Sequence, residues 1–179
     1  MSKLLATTLI AVAITWRFPV SGKEASKTAT YPAIVGFWTL NTNLSEVVTR
    51  GGVQAWAHRL DRAGVDPLMC ELSEPPAYLT IVPGEGVITF VDGEGVSRTF
   101  GTSGEPEPHR FAAGTVEATT RWKGGELRQE LSLPGGLQII RRFAAAGDAD
   151  HLIVTIEAKT SGHGQMQPLR RVYVSDVVR

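Results

Sequence analysis

The stretch TVEATTRWKGGELRQELSLPGGLQIIRRFAA, residues 115–145, decides the fold. Its first segment alternates, with polar and charged residues between the members of a largely apolar set, Val116, Ala118, Thr120 and Trp122. Its second segment repeats this pattern with Leu127, Gln129, Leu131 and Leu133. Successive side chains of a strand point to opposite faces, so each segment is predicted to be a strand with one apolar and one solvated face.

Glycine-containing turns separate these segments. Lys123-Gly124-Gly125 precedes the second segment, and Pro134-Gly135-Gly136 precedes a third one over residues 137–145. Such short connections join neighbouring strands as antiparallel hairpins. The same pattern of turn residues between apolar segments predicts further strands at residues 78–82, 87–91, 96–100, 151–159 and 169–174. Residues 101–108 are expected to form a long Pro-rich loop, and the secondary structure of residues 109–112 is ambiguous from the sequence.

The segment before the meander combines one strand with a helical hairpin. Residues 34–40 are rich in β-branched and aromatic side chains and are predicted to be the first strand. Ser45 is a suitable N-cap for a first short helix. After Gly51-Gly52, an apolar i, i+3, i+4, i+7 pattern that includes Trp56 predicts a second helix, which Gly64 and Pro67 end.

The number of strands predicts closure. About nine or ten strands with one apolar face do not form a stable open sheet, and the chain has too little helix to cover that face. Closure buries the face and removes the exposed edges. The predicted fold class is mainly β, a closed antiparallel meander β-barrel with a short helical hairpin after the first strand.

The N-terminus has the features of an export signal. Lys3 precedes a weakly polar run over residues 4–14, shorter than the roughly 20 residues that a membrane span needs. The predicted division is a signal peptide at 1–22, a linker at 23–32 and the barrel domain at 33–179. Export to the periplasm or the medium follows from this interpretation; a buried first element of a cytoplasmic protein is the alternative.

Composition excludes several classes of function. Eighteen Lys plus Arg balance 18 Asp plus Glu, so the general positive charge that nucleic-acid binding requires is missing. One cysteine, Cys70, excludes an intrachain disulfide and a multi-thiolate metal site. The four histidines lack metal-ligand spacing, and no nucleophile motif or phosphate-binding loop is present. The sequence therefore predicts no metal, no cofactor, no catalytic residues and no integral membrane span.

The order of these features resembles the calycin group. A Gly-x-Trp motif (Gly36-Phe37-Trp38), a helical hairpin, an antiparallel meander and a last-strand Arg-x-Tyr (Arg171-Val172-Tyr173) carry the resemblance over residues 34–176. Helices between the first and second strands are more similar to fatty-acid-binding proteins than to typical lipocalins. The segment 119–127, the Arg141-Arg142-Phe143 triplet and the last strand also resemble secreted lipocalin-like bacterial proteins.

This resemblance implies a set of ligand-binding residues. In fatty-acid-binding proteins, the last-strand Arg-x-Tyr and an arginine from an earlier strand hold a ligand carboxylate inside the barrel. The resemblance assigns these roles to Arg171, Tyr173 and Arg142, or to Arg141 if the register differs by one residue. Gln129 and Trp122 on the apolar face, and Trp56 at the barrel mouth, complete the candidate set, although the sequence favours packing in the core for Trp122 and packing of the helical lid for Trp56.

Three hypotheses follow. The first is a lipocalin-like carrier of a small amphiphilic or apolar molecule, such as a fatty acid. The second is a non-catalytic structural or interaction domain whose own side chains fill the barrel, because interiors of small barrels can be fully packed. The third is an enzyme of unassigned chemistry, which a histidine beside a carboxylate in a cleft would favour.

Overall fold

A computed structural model describes residues 33–46, 75–111, 114–133, 136–147, 149–160, 164–165 and 168–175. The predicted signal peptide, the linker and the helical hairpin with Trp56 and Cys70 lie outside the described residues. Over the described ranges, no helix is long and apolar enough to cross a membrane. The strands in these ranges are β1 (Gly36–Leu40), β2 (Tyr78–Pro83), β3 (Val87–Asp92), β4 (Ser97–Gly101), β5 (Ser103–Phe111), β6 (Gly114–Lys123), β7 (Glu126–Leu133), β8 (Leu137–Ala145), β9 (His151–Thr160), β10 (Gly164–Gln165) and β11 (Leu169–Ser175).

The strands form one antiparallel sheet that curls into a nearly closed barrel. The order is β4-β3-β2-β1-β11-β9-β8-β7-β6-β5, with the short β10 paired to β9 outside this path. Sequential neighbours pair along most of this order, and β11 returns to pair with β1. β4 and β5 are the two ends of the order. The predicted antiparallel meander barrel is therefore confirmed.

The register brings the apolar positions of neighbouring strands onto one face. Leu131 of β7 lies opposite Ala118 of β6 and Ile139 of β8, and all three are completely or almost completely buried. The burial of such side chains contributes about 25 cal/mol for each Å² of apolar surface removed from water. The alternation in residues 115–145 thus selects the face that forms the barrel interior.

The connection between β6 and β7 shows why glycine is required there. Lys123 pairs with Glu126, which leaves only Gly124 and Gly125 in the turn. Their φ angles are 59° and 85°, a left-handed conformation that favours glycine at both positions. This turn fixes the register of the hairpin that carries Thr120 and Gln129.

The Gly-x-Trp motif of β1 has a structural role. The Trp38 side chain is 2% exposed and belongs to the core. Its indole Nε1 donates a hydrogen bond of 2.9 Å to the carbonyl oxygen of Ile34. Buried indole N–H groups normally require such an acceptor, and the bond joins β1 to the residues just before it.

The expectation of a loop at residues 101–108 is wrong. Most of this segment belongs to β5, which pairs with β6 through Pro106, Pro108 and their neighbours. Proline is tolerated because β5 ends the strand order, and an edge strand has backbone N–H groups with no partner in the ladder. As a strand of the barrel, β5 directs the side chains of Glu107 and His109 toward the interior.

Candidate ligand-binding site

Arg141 is the member of the Arg141-Arg142 pair that faces the barrel interior. It lies opposite Gln129 on β7 and Ile156 on β9, both of which are buried. The Gln129 side-chain oxygen Oε1 accepts a hydrogen bond of 2.9 Å from Arg141 Nε and a second one from Nη2. The Arg141 guanidinium also lies 5.7 Å from the Phe143 ring centroid. An amide oxygen therefore holds this guanidinium against an apolar wall.

Thr120 fixes the orientation of Gln129. Both side chains are fully buried, and Gln129 Nε2 donates a hydrogen bond of 3.1 Å to Thr120 Oγ1. A buried amide is costly unless its polar atoms are paired. Pairing the amide nitrogen with Thr120 directs the amide oxygen toward Arg141. The result is a chain of hydrogen bonds, Thr120–Gln129–Arg141, that crosses β6, β7 and β8.

The preferred assignment of Arg142 to the interior is wrong. Arg142 lies one residue beyond Arg141 and consequently on the outer face. Its Nη1 lies 2.6 Å from Glu157 Oε1, and its Nε lies 3.9 Å from Glu126 Oε1. The sequence leaves the choice open because Ile139 and Ile140 make both faces of β8 apolar at this point.

Arg171 and Tyr173 both face the interior from β11. Their register partners on β9 are Val154 and Leu152, and the two side chains are 4% and 3% exposed. Arg171 Nη1 donates a hydrogen bond of 2.6 Å to the carbonyl oxygen of Glu46. The Glu46 carboxylate in turn accepts a bond of 2.8 Å from the backbone N–H of Arg170, which fastens the residues after β1 to β11.

The Tyr173 hydroxyl is protonated at neutral pH. Burial raises the pKa of Tyr173 to about 12, although the positive charges of Arg171 and then Arg141 act to lower it. Burial also lowers the pKa of Arg171, against the opposing effects of Tyr173 and Glu46. The register places all three side chains, Arg141, Arg171 and Tyr173, on the inner face of the barrel.

Trp122 has a more peripheral position. It lies near the end of β6 opposite the buried Leu127, and it is partly buried where it packs against the core. Successive cross-strand partners connect Trp122 to Arg171 through Leu127, Phe143 and Val154, so both residues lie at the same height in the barrel. Trp122 therefore lines the same level as one of the interior arginines.

Three polar residues of the interior were absent from the sequence-based candidate set: Arg98, Glu107 and His109. Arg98 lies opposite the buried Phe90, and its guanidinium lies 5.2 Å from the Phe111 ring centroid. Glu107 and His109 lie opposite the buried Ala118 and Val116. The alternation Glu107, His109, Phe111 is the signal for this face, and the intervening prolines conceal it. Among the described residues, no group of three or more His, Cys, Asp or Glu side chains is arranged to hold a metal ion.

Solved structures with the same architecture include two fatty-acid-binding proteins and a secretory abundant heat soluble protein. The protein from Schistosoma mansoni, in complex with arachidonic acid, is 15% identical, with 80% of this chain and 96% of that chain covered and a TM-score of 0.55. The one from Manduca sexta is 16% identical, with 79% and 99% covered and a TM-score of 0.53. Secretory abundant heat soluble protein 4 from Ramazzottius varieornatus is 13% identical, with 82% and 96% covered and a TM-score of 0.54.

These similarities show the fold. No family model matches the chain, and no curated protein matches it either. At such low identity the shared feature is the calycin-like barrel itself, as the sequence predicted. What the interior binds depends on this chain's own side chains.

Proposed function

We propose that the barrel binds a small amphiphilic molecule with a carboxylate head and an apolar tail, such as a fatty acid. The observation that carries the proposal is the inward-facing Arg141, held by Gln129 in the interior that Arg171 and Tyr173 also face. A guanidinium recognises a carboxylate through two parallel N–H···O bonds. The apolar core residues around this head-group site provide contacts for an alkyl chain.

Tyr173 strengthens this proposal. The phenol is neutral at physiological pH, as burial raises its pKa further above the ordinary value, to about 12, so its hydroxyl is able to donate a hydrogen bond to a carboxylate without repelling it. The resemblance to fatty-acid-binding proteins implies the same use of a last-strand Arg-x-Tyr with an earlier arginine. On this chain the residues for that arrangement are Arg171, Tyr173 and Arg141.

A second candidate function is a structural or interaction domain with a filled barrel. It is favoured by the partners that the chain itself supplies, because Arg171 donates to the Glu46 carbonyl oxygen and Arg141 donates to Gln129. In this alternative the polar groups of the interior stabilise the fold, and they have no ligand to recognise. The two candidates differ in whether the folded barrel takes up an amphiphile.

A titration with cis-parinaric acid, a fluorescent fatty acid, tests the proposal. We expect saturable binding to one site, and displacement of the probe by oleic acid at lower concentration than by oleyl alcohol. The alcohol has the same tail but lacks the carboxylate, so it is the matched control for the head group. A folded protein that gives no saturable signal contradicts the proposal and favours the filled barrel. Equal binding of acid and alcohol also contradicts the proposal, because it shows an amphiphile site that does not recognise the carboxylate.

A further inference from the structure

The barrel interior contains a second polar group, formed by Glu107 and His109 on β5. Their register partners on β6 are Ala118 and Val116, which belong to the hydrophobic core. Both side chains therefore face inward, from a different part of the wall than Arg141. Neither residue has a role in the carboxylate site proposed above.

His109 has a polar atom that the described structure leaves unsatisfied. Its ring packs against Phe100, with centroids 4.2 Å apart, and its side chain is 17% exposed. Nε2 is buried and makes no hydrogen bond among the described residues. It lies 3.2 Å from Glu107 Oε1, which is an ion-pair distance, but the direction is unsuitable for a hydrogen bond. A buried imidazole nitrogen whose neighbouring carboxylate is poorly oriented is costly, and a ligand group that takes the place of this contact would pair both side chains.

Glu107 provides a fixed acceptor beside that nitrogen. Its Oε1 accepts the backbone N–H of Gly101 at 2.5 Å, which ties the carboxylate to the end of β4. An ionised carboxylate has about four lone-pair sites, so one such bond leaves capacity for another donor. The Glu107 carboxylate is also partly accessible, at 37% exposure of the side chain.

The Glu107 carboxylate and the His109 imidazole together suit a hydroxyl group of a ligand. A hydroxyl donates one hydrogen bond and accepts others, so it suits both a carboxylate and an imidazole nitrogen. A ketone or ether oxygen has no proton to donate to Glu107, and a second carboxylate is repelled by it. We propose that the ligand is a hydroxylated fatty acid whose hydroxyl group binds to Glu107 and His109 in place of their direct contact. This inference rests on the proposed function, because the same molecule's carboxylate binds at Arg141.

The register places the hydroxyl far from the carboxylate. Arg141 lies on β8 and Glu107 lies on β5, three strands away, and neighbouring strands are about 4.8 Å apart. Glu107 aligns with Ala118, Leu131 and Ile139, so it is also two residues from the level of Arg141 along the strands. The path along the wall is therefore about 16 Å, and the straight path through the interior is shorter. The hydroxyl belongs near the middle of a long chain.

Competition by ricinoleic and oleic acids tests this inference. Ricinoleic acid is oleic acid with one mid-chain hydroxyl group, so the pair isolates the contribution of that group. We expect wild-type protein to bind ricinoleic acid about tenfold tighter, an effect of the size of one hydrogen bond to a charged or buried group. The His109→Phe variant keeps a ring against Phe100. Its affinity for ricinoleic acid should be about tenfold lower than that of wild type, and its affinity for oleic acid should be unchanged.

The outcomes separate the two proposals. Equal affinities for the two acids in wild type, or equal losses for both in His109→Phe, overturn the hydroxyl site while leaving a fatty-acid site in place. Absence of binding for both acids in wild type overturns the proposed function and this inference with it. His151→Phe is the control, because His151 lies opposite Val174 on the outer face of β9 and should leave both affinities unchanged. Retained oleic acid binding in His109→Phe demonstrates that the variant is folded.

Discussion

The inner and outer faces of β6, β7 and β8 both carry polar side chains, but they bond in different ways. On the outer face, Glu130 Oε1 lies 2.8 Å from Arg128 Nε and 3.3 Å from Arg121 Nη2. Its other oxygen accepts a bond of 3.0 Å from Gln138 Nε2. On the inner face, the Thr120–Gln129–Arg141 chain uses a hydroxyl and an amide. Around Glu130 opposite charges meet, whereas the hydrogen bonds of Gln129 to Arg141 join a neutral side chain to a charged one.

This difference indicates what each face does. Partly exposed ion pairs such as Arg121–Glu130 contribute little to stability, because water and salt screen them. The contact between Gln129 and Arg141 satisfies donors of the guanidinium without neutralising its charge. A positive charge in an apolar interior attracts an anion more strongly than the same charge in water. We therefore expect the inner face to govern recognition, and the exposed positions of the outer face to tolerate substitution.

The largest expected difference between the faces is in stability. Leu131 is fully buried on β7, and the next residue, Ser132, is exposed on the other face. Leu131→Ala should lower the free energy of unfolding by about 2–5 kcal/mol, because it removes buried methyl groups and leaves a cavity. Ser132→Ala should change it by less than about 0.5 kcal/mol. Urea unfolding of both variants measures the contrast, and equal losses would contradict the assignment of the two faces.

A smaller effect is expected at alkaline pH. The ordinary tyrosine pKa is about 10, and in the folded protein the pKa of Tyr173 is about 12. A group with a raised folded pKa contributes stability that is fully present below its unfolded pKa and is lost as pH rises through its folded pKa. At about 1.4 kcal/mol per pH unit, wild type should lose roughly 2–3 kcal/mol from Tyr173 between pH 10 and pH 12.

Tyrosine variants test this linkage. Tyr173→Phe removes the titrating group, so its unfolding free energy should fall less steeply with pH above pH 10. Tyr78 is 46% exposed on the outer face, and Tyr78→Phe should keep the wild-type slope. Urea unfolding at a series of alkaline pH values provides the comparison. Identical slopes for wild type and Tyr173→Phe would show that Tyr173 titrates normally.

The sequence predicts most of the fold because two independent patterns agree. Alternation and glycine turns place β7 and β8 with the bounds that the structure shows. β5 was missed because Pro106 and Pro108 oppose a strand locally, and only its place at the end of the sheet makes them acceptable. That place depends on the whole barrel, so a local pattern does not reveal it.

The candidate site was predicted less completely than the fold. Arg171 and Tyr173 face inward together, as the Arg-x-Tyr spacing requires of two residues on one strand. The choice between Arg141 and Arg142 depends on a single step of register, and isoleucines on both faces of β8 hide that step. Glu107 and His109 were missed together with β5.

The neighbouring arginines of β8 offer the most direct test of the central claim, that the inner face recognises a carboxylate. Oleic acid binding should be measured by calorimetry for wild type, Arg141→Met and Arg142→Met. Methionine keeps an unbranched apolar side chain and removes the charge in each case. We expect Arg141→Met to weaken oleic acid binding at least about tenfold, the size of one charge-assisted hydrogen bond, and Arg142→Met to leave it within about twofold. Equal effects of the two substitutions, or a larger effect at Arg142, would contradict the account.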